Sequence, residues 1–160
     1  MVKLNIFVLD ADYRKAAQMA CDRHCVKMIL ESTQLLCTSI LIHGGDAPYK
    51  KTHSRHPSTI FTAKTKQNWL WVRNYALALC EEYTYRYKKI HKCQAIIESL
   101  VPTVIPDGSL TSFPQAMPDA FKRKDVVEAY RTYYREGKGY MNKGRGPQWL
   151  KAPERKPSWF

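Results

Sequence analysis

Three ionisable side chains recur at helical spacing between Asp22 and Leu36. His24, Lys27 and Glu31, followed by Gln34, fall within an arc of about 80° on an α-helix. Most other residues of this stretch are apolar or small, so we predict a largely buried helix. Buried charges need a partner that offsets their desolvation. The stripe is therefore either one wall of a pocket or a His–Glu–Lys network that only fixes packing.

The chemistry of this stripe follows from its residue types. His24 could donate a proton, Lys27 could hold an anion, and Glu31 could act as a carboxylate that stabilises a cation. The sequence has no glycine-rich phosphate loop, GxSxG elbow or HExxH motif. We therefore predict catalysis by dispersed side chains, with no cofactor and no metal site.

A second stripe is predicted on a long helix over residues 65–91. If the two helices pack face to face, its residues lie opposite the first stripe and, with Gln34, bind a substrate. Alternatively the aromatic residues are core and the Glu–Arg pair is an ordinary helical salt bridge. The stripe comprises Asn68, Trp71, Tyr75, Glu82 and Arg86.

A basic segment lies between these helices. We predict a loop over residues 44–62, and its density of cations fits phosphate contacts, although a solvated loop has the same composition. Arg131 and Lys138 add cations near the C-terminus. The candidate nucleic-acid contacts in the loop are Lys50, Lys51, His53, Arg55 and His56.

The charge and composition of the chain indicate which kinds of partner it can bind. The net charge of +12 favours polyanions, and DNA is the first candidate. Five scattered cysteines favour a reduced, cytoplasmic protein. No signal peptide or 18-residue apolar run is evident, so we expect no membrane partner. The oligomeric state stays open.

The predicted fold is mainly α, a compact helical domain with a short N-terminal strand or arm and a long Pro-rich connection. Residues 3–9 form the strand or arm, and Asp10 or Asp12 caps a helix from Tyr13. A further helix follows Cys93 to about Leu100. Residues 1–136, ending with a helix over 126–136, form the domain. Residues 137–160 form a basic, aromatic tail that either stacks on bases or packs back onto the core.

Several segments of the chain carry a resemblance to a known family. The matching segments are Leu4-Asn-Ile-Phe, Asp22-x-His-x-Val-Lys-Met-Ile-Leu-Glu-x-x-Gln-Leu-Leu36, Asn68-Trp-x-Trp71, Glu82-Tyr-x-x-Arg-Tyr87 and Ala129-Tyr-Arg-x-Tyr-Tyr134. In these segments the chain is similar to small proteins of T-even-type phages and cyanophages, which implies a phage protein acting in the host cytoplasm. The family pattern has Gly where this chain has Lys88, so the helix end is expected to differ.

A weaker resemblance is to the pyrimidine-dimer DNA glycosylases. The shared outline is a charged buried helix, a basic loop and Tyr- and Trp-containing C-terminal segments. This resemblance implies an α-amine nucleophile, at Val2 after removal of Met1, with Glu31 as the carboxylate. The usual N-terminal Thr of that family is absent here.

The predicted function is a DNA-directed enzyme acting on a base, glycosylase/lyase-like or base-modifying. Such enzymes need phosphate contacts, an aromatic slot and a buried carboxylate. The alternatives are a non-catalytic protein that binds nucleic acid or a host factor, and an inhibitor of a host defence protein.

Overall fold

One long buried helix organises the fold. In the computed structural model, which describes residues 4–160, no strand is present over that range, and the chain is mainly α as predicted. The helices are α1 Tyr13–Met19, α2 Asp22–Ile42, α3 Pro57–Lys64, α4 Lys66–Tyr87, α5 Gln94–Ser99, α6 Val126–Thr132, which continues as a π-helical turn Tyr133–Gly137, and α7 Met141–Gly144. Short 3₁₀ turns lie at Asp119–Phe121 and Pro153–Arg155.

Polar side chains begin four of these helices. Asp12 accepts hydrogen bonds from two backbone N–H groups of α1, and Asp125 does so from one in α6. Thr65 caps α4, and the ring of His56 caps α3 just before Pro57. Each cap satisfies an N–H group that the helix itself leaves unpaired, which explains why the helices begin at these residues.

Helix α2 is central because it is buried around most of its circumference. It packs against α4 and α3, and α1 packs against α4. By length and hydropathy it could also cross a membrane, but 67% of its most apolar window is buried inside the protein. A core helix of a water-soluble domain has the same properties. Gly44, at φ 82°, follows its C-terminus, and this left-handed residue ends the helix.

The N-terminal segment is an arm and not a strand. Its residues are extended and pack into the core with almost no exposure. The Asn5 side chain is held by the Tyr130 hydroxyl, which donates to Oδ1 at 3.0 Å, and Asn5 donates to the Ala116 carbonyl at 2.9 Å. The arm is thereby tied both to α6 and to the Pro-rich connection. The buried apolar residues are Leu4, Ile6, Phe7, Val8 and Leu9.

Two predicted boundaries are wrong. The basic loop ends at His56, because Pro57 fixes a helical φ at the first position of α3. Helix α4 ends at Tyr87 and not near residue 91, because Lys88 adopts a left-handed conformation at φ 57°. The family resemblance implies Gly at this position. Gly adopts such angles without strain. Lys88 thus ends the helix in the way a glycine does.

A buried arginine joins three segments of the chain. The Arg86 side chain has no solvent exposure, and its Nε donates to Glu82 at 3.1 Å. Its terminal nitrogens donate to the carbonyls of Ala20 at 2.7 Å and Gln18 at 2.9 Å, and one lies 3.3 Å from Asp22. These bonds fix the corner between α1 and α2 against α4. The Glu82–Arg86 pair is therefore part of a buried network and not a surface salt bridge.

The C-terminal tail packs back onto the domain. Trp149 is buried and its Nε1 donates to the Met19 carbonyl at 3.0 Å. The ring of Trp159 lies 6.1 Å from that of Tyr134. Arg155 Nε donates to Glu82 at 3.0 Å and so joins the Arg86 network. The two tryptophans of the tail are thus core-packing residues.

The Arg86 network predicts a large stability difference between two arginines. Arg86→Met should lower the free energy of unfolding by about 3–5 kcal/mol, because it leaves Glu82 buried without its principal partner. The control is Arg14→Met, which breaks an exposed ion pair with Glu81 at 2.9 Å and should cost less than about 1 kcal/mol. Urea denaturation monitored by tryptophan fluorescence measures both. Equal effects would contradict the assignment.

Candidate functional site

A cleft of about 920 Å³ lies along the N-terminal half of α2. Its walls come from five segments: the N-terminal arm, α2, the start of α3, the Pro-rich connection at residues 115–122, and the chain from 133 to 141. A volume of this size accommodates a ligand as large as a nucleotide.

The first stripe lines this cleft. His24, Lys27 and Glu31 all face it, and Arg23 joins them from the first turn of α2. His24 and Glu31 are 5% and 3% exposed, whereas Arg23 and Lys27 are exposed. The stripe thus places buried proton-transfer groups beside exposed cations. Gln34, a turn further along α2, is half-buried and does not line the cleft.

Glu31 combines burial with an unsatisfied oxygen. Within residues 4–160, nothing forms a hydrogen bond with its Oε1. Desolvation raises the pKa of Glu31 to about 7, while Lys27, Lys138 and a hydrogen bond from the Asn5 backbone act in the opposite direction. A carboxyl group with this pKa exchanges its proton at neutral pH, which suits a general acid or base.

His24 is held neutral and fixed. Its Nδ1 shares a 2.6 Å hydrogen bond with the Tyr134 hydroxyl, and its ring stacks on Phe7 at 4.1 Å. Burial lowers its pKa well below the usual value, and the cations Lys138 and Lys27 lower it further. An uncharged imidazole can orient or hydrogen-bond a ligand but contributes no positive charge to the cleft.

Aromatic rings form a column along the cleft. Starting from the His24–Phe7 stack, Phe7 and Tyr133 are 6.3 Å apart and nearly parallel, and Tyr133 stacks on Phe121 at 5.3 Å. Gly137 allows this packing, because a Cβ there would meet the rings of both Tyr133 and Phe121. Flat aromatic surfaces of this kind can support a planar ligand.

Lys138 lies among these rings. Its Nζ is 4.6 Å from the centroid of Tyr133, 5.4 Å from Phe7 and 5.5 Å from Tyr140. It donates to the Tyr140 hydroxyl at 3.1 Å, and Lys138 is only 9% exposed. No carboxylate of residues 4–160 lies within ion-pair distance of it. The positive charge of Lys138 is therefore available to a ligand in the cleft.

The basic loop leads into the same cleft. His56 lines it, and the pKa of His56 is lowered by burial and by His53. The other basic side chains of the loop are exposed, and Lys50, Lys51 and Arg55 form no ion pair among the described residues, so their charges face solvent. His53 is exposed as well.

The second stripe lies outside the cleft, and the predicted closure of one site by two facing stripes is wrong. Asn68 instead donates to the Phe61 carbonyl at 2.9 Å and accepts from the Thr111 N–H at 2.9 Å, which anchors the Pro-rich connection. Trp71 donates to the Ala11 carbonyl at 3.2 Å and stacks on the fully buried Tyr75. The physical reason is that apolar side chains fill the α2–α4 interface.

Glu82 and Arg86 bond to each other within the buried network described above and do not line the cleft. Arg131, predicted to contact nucleic acid, is also committed: its Nε donates to the Leu9 carbonyl at 2.9 Å, and it lies 3.4 Å from Asp10. Val2, the candidate amine nucleophile, lies outside the described residues.

The structure adds cleft residues that the sequence did not single out. All but Arg23 come from segments remote from α2, and apart from Asn5 only their basic or aromatic type could have drawn attention to them. They are Asn5, Phe7, Arg23, Phe121, Lys122, Tyr133 and Tyr140.

Comparisons with protein-family models, curated proteins and solved structures gave no match to this chain. The phage family and the glycosylases therefore remain resemblances in the residues quoted above. Within residues 4–160, no group of three or more His, Cys, Asp or Glu side chains is placed to hold a metal ion.

The raised pKa of Glu31 predicts a pH-dependent stability difference. Between roughly pH 4.5 and 7 the folded state binds more protons than the unfolded state, so stability falls as pH rises through this window. Glu31→Gln keeps an acceptor for the Asn5 N–H but cannot ionise. At pH 8 the variant should be more stable than the natural protein, by up to about 3 kcal/mol, and about equal at pH 4.5.

Urea denaturation of both proteins at the two pH values measures this difference. Glu81→Gln, at an exposed carboxylate on α4, is the matched control and should show no such change between pH 4.5 and 8. A Glu31→Gln difference that is independent of pH would contradict the raised pKa.

Proposed function

We propose that this protein is a DNA-directed enzyme that acts on a base held in the cleft, most simply a glycosylase/lyase. The observation that carries the proposal is Glu31: a carboxyl group 3% exposed, with an unpartnered oxygen, in a cleft whose other charged groups are mainly cations. An enzyme that works on an extruded base needs a carboxylate, an aromatic surface and phosphate contacts together.

The charge distribution supports a polyanionic substrate. The net charge is +12, and Arg23 and Lys27 at the cleft form no ion pair among residues 4–160. Lys122 is also there but pairs with Asp119 at 2.9 Å. The exposed cations of the 50–55 loop continue this surface beyond His56. Phosphates on either side of an extruded nucleotide would meet these groups.

Glu31 can act as both acid and base in this chemistry. In its protonated form it donates its proton to the departing base as the C1′–N bond breaks, and the base takes the bonding electrons. The carboxylate that remains stabilises the cationic sugar and, acting as a base, takes the proton released when water or an amine adds to C1′. The α-amine proposed for the lyase version is that of Val2. The phage-type context comes from the family resemblance, and a cytoplasmic location fits five free, buried cysteines.

The catalytic test uses DNA duplexes that contain a pyrimidine dimer or an abasic site. Glu31→Gln should reduce base release at least about 100-fold, and the natural enzyme should lose activity as pH rises through about 7, because the general acid is then ionised. Lys27→Ala should weaken binding, and Glu81→Gln should change neither quantity. Gel-based cleavage assays measure the rates.

Two further measurements separate versions of the proposal. Borohydride should trap a covalent adduct at the N-terminal amine, and its absence removes the lyase version. DNA affinity should fall steeply with salt if several phosphates are bound.

The alternative is a non-catalytic protein that binds nucleic acid, and the exposed cations of the loop favour this hypothesis. It applies if DNA binding survives both Glu31→Gln and Lys27→Ala and no base release occurs. A flat salt response removes nucleic acid as the partner and leaves a host-factor or defence-protein partner.

A further inference from the structure

The cleft contains a cation that the protein neither exposes nor neutralises. Lys138 is 9% exposed, and its one hydrogen bond within residues 4–160 goes to the Tyr140 hydroxyl. An ammonium group has three N–H donors, so two lack a protein acceptor. Removing a charge from water without a counter-charge is unfavourable, and cation–π contacts offset only part of that cost. An anion bound beside the Lys138 ammonium group would supply the missing counter-charge.

Three aromatic rings surround the Lys138 ammonium group. The negative faces of Phe7, Tyr133 and Tyr140 attract an ammonium ion and lie at distances of 4.6–5.5 Å from it, measured to their centroids. These rings fix the position of the ammonium group in the cleft but supply no negatively charged oxygen.

Other groups indicate what anion fits. Arg23 and Lys27 line the same cleft, and neither is paired with a carboxylate of the described chain. Several cations around one cleft match an anion with more than one charged oxygen, as phosphate has. The unpartnered Oε1 of Glu31 can in addition accept a hydrogen bond from an N–H or O–H donor on the same ligand. A nucleotide carries both features, because it has a phosphate group as well as N–H or O–H donors on its base and sugar.

We propose that Lys138, set in the ring cage of Phe7, Tyr133 and Tyr140 and assisted by Lys27 and Arg23, forms a phosphate subsite for the nucleotide that occupies the cleft. The identity of this ligand as a nucleotide rests on the proposed function, whereas the phosphate subsite itself does not. The phosphate belongs either to a free mononucleotide or to the backbone of a strand.

The affinity of the subsite for phosphate should depend on pH, because the negative charges of a bound phosphate and of ionised Glu31 repel each other. The groups that act on Glu31 are Lys27 on α2, Lys138 on the C-terminal segment and the Asn5 backbone on the arm. Tyr75 on α4, which does not line the cleft, also interacts electrostatically with Glu31. The other ionisable groups of the cleft near α2 and the C-terminal segment are Arg23, His24 and Tyr140. A bound anion disfavours ionised Glu31, so phosphate should bind more tightly when Glu31 is protonated. In Glu31→Gln this dependence should disappear while binding itself persists.

Calorimetric titrations test the subsite with three probes: inorganic phosphate, dTMP, and oligothymidylate without a terminal phosphate. Lys138→Met should weaken phosphate binding at least about tenfold, Lys138→Arg should retain most of it, and Tyr140→Phe should have a smaller effect. The matched control is Lys89→Met, which removes an exposed charge outside the cleft and should leave phosphate binding unchanged. Tight binding of dTMP alone identifies a free nucleotide, and tight binding of the oligomer identifies a strand.

A measurement on the unaltered protein covers the case in which Lys138→Met does not fold. With lysines labelled at ¹³Cε, the Lys138 methylene should be shifted by ring currents from its three aromatic neighbours and should move on titration with phosphate. No movement of that resonance, or no phosphate binding by the natural protein, overturns the proposal. If phosphate binding depends on Lys138 but Glu31→Gln leaves base release unchanged, the subsite stands and the proposed catalytic role fails.

Discussion

The desolvation of Glu31 is the constraint on which the cleft depends. A carboxyl group on a helix buried nearly all round can stay ionised only if cations compensate it, and otherwise it holds its proton. The fold provides partial compensation from Lys27 and Lys138, one on its own helix and one more than 100 residues later in the chain. The pKa near 7 is the result of this incomplete balance. Without these cations desolvation would keep Glu31 protonated, and a direct ion pair would keep it ionised.

Much of the architecture follows from local physical chemistry that the sequence displays. The apolar circumference between Cys25 and Cys37 predicts a buried central helix, and Asp12 and Asp125 mark helix starts through their capping side chains. The break at Gly44-Gly45 is equally local. Helix ends were less predictable where an unexpected residue took a special conformation, as Lys88 does at φ 57°. The sequence predicts Pro57 to be a loop residue, although it begins α3.

The sequence predicts one wall of the cleft but not the other. The helical spacing of His24, Lys27 and Glu31 put them on one face, which is a property of one element alone. The opposite wall depends on tertiary contacts with no sequence signature: Phe7 arrives from an extended arm, and Lys138 from beyond a π-helical turn. Asn68, Tyr75 and Arg86 show the converse error. Their spacing on α4 is regular, but each satisfies the backbone or fills the core, which are needs that a helical projection does not reveal.

The cleft joins segments that lie far apart in the chain, and this has a consequence for its biosynthesis. Its walls include Asn5 and Phe7 on one side and residues 133–141 on another, while residues further along fasten to α4 through Arg155. A growing chain on the ribosome lacks one wall until residues 133–141 emerge. The site therefore forms only after that segment has been synthesised, and a chain terminated before it has no assembled cleft with which to compete for the ligand.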